Sequence, residues 1–225
     1  VIDEGASDIG DDDNSIKLTF TDGSAVELLN AGNAAGTSAI SVPSGAGEMG
    51  VAGATTNTTP TDLDFAAGAT ALGVEWHSAA DFLADGLKMS VSYSTDSGAA
   101  KGATARLENS WGVGATYVTS AGDTALTIGT GFSGGDVVNT GTQTTGGKEG
   151  FHAGVSAVTG DLTVAVGYAD GNSFVGDTIT DISANMDIEG SVLKAGVSYV
   201  TGDMTLALGV TSAEAKDSNF GATTT

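Results

Sequence analysis

The chain has 225 residues, with 28 acidic side chains against 7 basic ones, a formal net charge of -21, 35 glycines, two prolines and no cysteine. Such a charge disfavours partners that need a cationic surface, namely duplex DNA, RNA and anionic lipid headgroups, and the lack of cysteine removes disulfides, thiolate metal centres and cysteine nucleophiles. No apolar run approaches the roughly 18 residues of a transmembrane helix, although a barrel wall needs apolar side chains only at every second position.

The start, Val-Ile-Asp-Glu-Gly, lacks the basic end and apolar centre of a signal peptide, so the sequence reads as mature or excised. The first 14 residues are acidic, with Asp8, Asp11, Asp12 and Asp13 close together, and read as a solvated loop. Over residues 15–29 the alternation of Ile16, Leu18 and Phe20, the turn pair Asp22-Gly23 and the return through Val26 and Leu28 predict a hairpin. Residues 30–69 are mostly Gly, Ala, Ser, Thr and Asn, with Pro43 and Pro60 as breakers, and predict a long loop. The first region is therefore 1–69, an early hairpin with acidic and low-complexity loops.

From residue 70 to 212 the period of two is sustained. Leu72, Val74 and Trp76 alternate, then Leu87 to Tyr93, Ala105 to Leu107, Trp111 to Tyr117 and Leu126 to Phe132, followed by the pairs 152–158 with 162–168 and 192–200 with 204–210. That is about eight strands, most near the 9–11 residues of a tilted membrane-spanning strand. Their short joints predict antiparallel neighbours. Residues 213–225 read as a loop or truncated end.

Two segments nearly repeat each other: GVSAVTGDLTVAVGY from Gly154 and GVSYVTGDMTLALGV from Gly196. In each, Thr-Gly-Asp sits between two alternating runs. Val155, Leu162, Val164, Val166 and Tyr168 take one face of the first hairpin, and Val197, Tyr199, Met204, Leu206, Leu208 and Val210 take one face of the second. The opposite faces carry Gly, Ser, Thr and Ala, together with His152 and Lys194. Two structures fit this division: a sandwich whose oily faces point inward, or a barrel whose oily face points outward. Few charges stand on the small-residue face, short turns alternate with longer loops near 133–150 and 171–190, and aromatics stand near strand ends, all of which favour the barrel.

On these hairpins, on GVGATYVTSAGDTALTIGTGF, and on the looser ALGVEW and GLKMSVSYSTDSG, the chain resembles the general diffusion porins of Gram-negative outer membranes, of the alphaproteobacterial type, over roughly residues 70–212. The resemblance implies an all-β fold, an antiparallel transmembrane β-barrel of 16 strands, with part of the barrel missing from this chain because it ends Gly-Ala-Thr-Thr-Thr rather than in an aromatic strand. It also implies a homotrimer in outer-membrane lipid that passes ions and small hydrophilic solutes by diffusion. The pore-lining candidates are Lys88, Arg106, Glu108, His152 and Lys194, the apolar residues named above face lipid or a neighbouring subunit, and the acidic loops predict weak cation preference. The alternative is a soluble or surface-attached extracellular β-structural or adhesin protein, which shares the acidity, the absence of cysteine and the repeated hairpins.

Catalysis is not expected. His77 and His152 stand in no recognised zinc motif, no neighbourhood assigns an activated nucleophile or general acid, and GTGFSGG at 129–135 lacks the lysine and hydroxyl of a phosphate loop. No cofactor is required. Calcium is a candidate at Asp8, Asp11, Asp12 and Asp13, since hard cations take oxygen ligands, although the spacing is not that of an EF-hand. Asp136, Asp170, Asp177, Asp181, Asp187 and Glu189 share that ambiguity.

Overall fold

The computed structural model describes residues 16–28, 34–43, 73–96, 105–139, 144–174, 187–217 and 223–224. Within them lie β1 (Ile16–Thr19), β2 (Ala25–Leu28), the single helical turn α1 (Ala34–Thr37), β3 (Gly73–His77), β4 (Leu87–Asp96) and β5 (Ala105–Ala121). There follow β6 (Thr124–Asn139), β7 (Thr144–Thr159), β8 (Leu162–Phe174), β9 (Asp187–Thr201), β10 (Met204–Asp217) and β11 (Thr223–Thr224). Every strand pairs antiparallel with its sequence neighbour, giving one 11-stranded sheet in the order β1 to β11.

The hairpins form where the turn residues permit them. Thr159 pairs with Leu162 and Thr201 with Met204, leaving two-residue loops, Gly160-Asp161 and Gly202-Asp203. Gly160 has φ 56° and Gly202 φ 59°, whereas neither aspartate has positive φ. That is the type II′ pattern, whose twist matches the flanking strands and whose first central position suits glycine. The repeated Thr-Gly-Asp is thus a register device: it fixes which residues face which across each hairpin.

The strands carry large apolar residues on one face and small ones on the other, as the alternation predicts. In β8, Leu162, Val164, Val166 and Tyr168 are exposed while Ala165, Gly167 and Ala169 are buried. One cross-strand row runs Leu18, Val26, Trp76, Val91, Val113, Phe132 and Phe151 from β1 to β7. Phe132 stacks on Phe151 with ring centroids 5.8 Å apart, and Phe151 meets Tyr168 at 5.8 Å. Such pairs add about 0.5–1.5 kcal/mol each beyond area, so this face has local order although its side chains remain exposed.

A closed 16-stranded transmembrane barrel is not what the structure shows. Among the described residues β1 pairs only with β2 and β11 only with β10, and the two ends of the sheet do not meet. The reason lies in what alternation encodes: it assigns faces, and a period of two is the same in an open and a closed sheet. With closure goes the ground for the porin assignment, the diffusion channel and its cation preference, the outer-membrane lipid and homotrimer partners, and the outer-membrane location. No helix among the described residues is long and apolar enough to cross a membrane.

Candidate functional site

The small-residue face is covered in part by a strap, residues 34–43, which falls inside the stretch expected to be a long loop. It opens with α1, whose turn is closed by Ser38 N–H donating to Ala35 O at 3.2 Å and Thr37 Oγ1 donating to Ala34 O at 2.9 Å. Ala34 N–H donates to Ser92 Oγ on β4 at 2.9 Å, and Ser38 Oγ lies 2.8 Å from both Ala35 O and Thr130 O on β6. Ala34, Ala35, Ser38 and Ile40 are buried.

Small residues let the strap approach. A Cβ at Gly196 would collide with the Pro43 carbonyl, and Ile40 lies against Gly129 and Gly154. Backbone carbonyls cannot swing aside as side-chain ends do, so the row of glycines is a docking track for main chain. The sequence pattern makes these positions small; only the structure identifies what occupies the space.

His152 anchors the strap. Its side chain is buried, and Nε2 lies 2.7 Å from Ala35 O, so Nε2–H donates and the ring is held as the neutral or charged donor at that nitrogen. Burial lowers its pKa from the ordinary 6.5, partly offset by the bond to Ala35, which favours the charged form. The residue expected to line a pore therefore lies under the strap.

A second cluster forms where β1, β2 and β3 run side by side. Lys17 is opposite Glu27, Glu27 opposite Glu75, and His77 opposite Ser90 on β4. Lys17 Nζ lies 2.5 Å from Glu27 Oε1. His77 Nε2 is 3.8 Å from Glu27 Oε1 and 3.7 Å from Glu75 Oε1, and His77 Nδ1 is 2.9 Å from Ser90 Oγ. Glu75 is 1% exposed, which makes it the largest fully buried side chain of the described residues. Desolvation lowers the pKa of His77, with Glu27 opposing and Lys17 adding to the shift.

Of the predicted site residues, Lys88 and Lys194 occupy one cross-strand row, through Thr116, Gly129, Gly154 and Gly167, and so stand at one height on β4 and β9. Lys88 is exposed and Lys194 half-buried. Arg106 and Glu108 lie in β5 beyond a register shift between Glu108 and Trp111, near Asn109 with φ 51°. The shift is in the pairing with β6, while the register with β4 runs on from Tyr93–Trp111 to Asp96–Glu108, and the side chains of Arg106 and Glu108 fall outside the described ones. Asp8, Asp11, Asp12 and Asp13 also lie outside the described residues.

The apolar candidates are all on the face opposite the strap. Leu162, Val164, Val166, Tyr168, Tyr199, Met204, Leu206, Leu208 and Val210 are exposed, with Val155 and Val197 intermediate. The expectation of lipid contact had rested on barrel closure.

The cluster of Glu27, Glu75 and His77 was not anticipated. Its local signal is Glu75-Trp76-His77, two ligating types two apart and so on one face of a strand; Glu27 joins them only through the β2–β3 register. Neither a protein-family model nor a curated protein matches this chain.

Proposed function

We propose that this chain is a non-enzymatic β-structural protein of the cell surface or extracellular medium that works by association through its sheet. The observation that carries this reading is the edge at β10. Its 14 residues pair with β9 throughout, whereas on the other side, among the described residues, only Ala215 and Lys216 pair with β11. Among the described residues, 204–214 have no second neighbour, so one row of their backbone donors and acceptors is offered to an added strand.

Edges of soluble β-proteins are commonly blunted by proline, inward charge or lysine. Here Met204 to Ala213 contains none of these, and Met204, Leu206, Leu208 and Val210 are 60–68% exposed. Strand addition supplies main-chain hydrogen bonds for affinity and alternate side-chain contacts for specificity. The acidic composition opposes indiscriminate aggregation through like-charge repulsion, and the absence of any convergent nucleophile and base in the sequence argues for structure over catalysis.

Proline substitutions at the adjacent positions Ala207 and Leu208 test the edge. Successive N–H groups of an edge strand point alternately inward and outward, so one substitution removes an inward bond to β9 and the other an outward donor. The outward one is expected to abolish self-association or partner association in sedimentation velocity while far-UV circular dichroism is retained. Stepwise conductance of the wild-type chain in a planar bilayer would contradict the reading, as would association unaffected by both prolines.

A further inference from the structure

We propose that Glu27, Glu75 and His77 form a binding site for a divalent transition ion of the zinc type. Each offers one ligand atom, and these atoms all lie within 4.8 Å of one another. The site is assembled from two adjacent strands whose register places Glu27 directly opposite Glu75, with His77 two residues along on the same face as Glu75.

The distances suit a shared cation better than direct bonds. His77 Nε2 is 3.7 Å from Glu75 Oε1 and 3.8 Å from Glu27 Oε1, both beyond a hydrogen bond. Zinc holds imidazole nitrogen and carboxylate oxygen at about 2.0–2.2 Å, so two ligands of one ion stand roughly 3.3–3.8 Å apart at tetrahedral or slightly wider angles. Two carboxylates brought directly opposite on neighbouring strands repel each other, and one of them, Glu75, is buried. A divalent ion offsets that repulsion.

The imidazole is already oriented for the task. Ser90 Oγ lies 2.9 Å from Nδ1; in the Nδ1–H tautomer it accepts that hydrogen, and the Nε2 lone pair is then the one on the side of the two carboxylates. A fixed outer hydrogen bond of this kind is the usual support of a metal-binding histidine. An imidazole with two carboxylates suits zinc and its first-row neighbours, whereas calcium takes six to eight oxygens.

Lys17 is the built-in competitor, since its ammonium lies 2.5 Å from Glu27 Oε1. The ion must share Glu27 with Lys17 or displace it.

The chain has two histidines, so imidazole resonances of the intact wild-type protein read the site directly. Titration with zinc chloride is expected to shift the His77 signals saturably at one equivalent and to leave those of His152, under the strap, unmoved. Calorimetry should show loss of that equivalent in His77→Ala and Glu75→Gln, about tenfold weaker binding in Ser90→Ala, and equal or tighter binding in Lys17→Met. Zinc binding that leaves the His77 resonances unmoved would assign the ion to the acidic loops and overturn the proposal. So would a wild-type chain with no saturable binding, or affinity unchanged in both His77→Ala and Glu75→Gln.

Discussion

His152 links two parts of the chain separated by more than a hundred residues through one bond, Nε2 to Ala35 O. Replacing it by phenylalanine removes one donor from Ala35 O, which keeps Ser38 N–H and Ser38 Oγ, at a cost of about 0.5–1.5 kcal/mol, to be read as a lowered urea midpoint. The same residue confers a pH dependence whose sign follows from its pKa being lowered in the fold. Above the ordinary value of 6.5 the ring is neutral in both states and the full contribution is present; as pH falls through 6.5 the unfolded chain takes up the proton more readily and stability declines. The decline reaches at most about 1.4 kcal/mol per pH unit for one group. The stability gap between wild type and His152→Gln should accordingly narrow as pH drops below 6.5. A gap that widens on acidification would show that the ring is stabilised in its charged form.

At the scale of elements, the strap and the hairpins respond differently to substitution. Gly196→Val drives a side chain into the Pro43 carbonyl and is expected to cost about 1–3 kcal/mol by overpacking, with faster hydrogen exchange at Ala34 and Ser38. Ala153→Val, on the exposed face of β7, serves as the control and should change neither. Equal effects of the two would mean that the strap does not rest on the glycine track.

The hairpins were legible because alternation and Thr-Gly-Asp are local signals. The strap was not. A run of Gly, Ala, Ser and Thr has no periodicity to reveal that residues 34–43 dock on a distant face, and small residues on β5, β6, β7 and β9 read equally as a water-facing wall or as a track for main chain. The Glu27, Glu75 and His77 cluster was hidden for a related reason: its members meet only once β2 is placed beside β3, and Ser90 only once β4 follows.

For the whole molecule, the decisive quantity is whether the ends of the sheet meet. Sequence periodicity carried no information on strand number or closure; the porin expectation supplied both, and the open order β1 to β11 replaces it. Among the described residues the open sheet leaves 204–214 of β10 without a second neighbour, and the associating role is proposed on that stretch. Since the chain has no cysteine, spin labels can be attached cleanly at Leu18→Cys on β1 and Leu208→Cys on β10. Nine inter-strand steps of about 4.8 Å give a contour of roughly 43 Å between them, shortened by sheet curl. Dipolar distance measurement on the doubly labelled chain is predicted to give one population far longer than the spacing of neighbouring strands. A dominant short distance, with β1 lying beside β10, would contradict the open sheet and the function drawn from it.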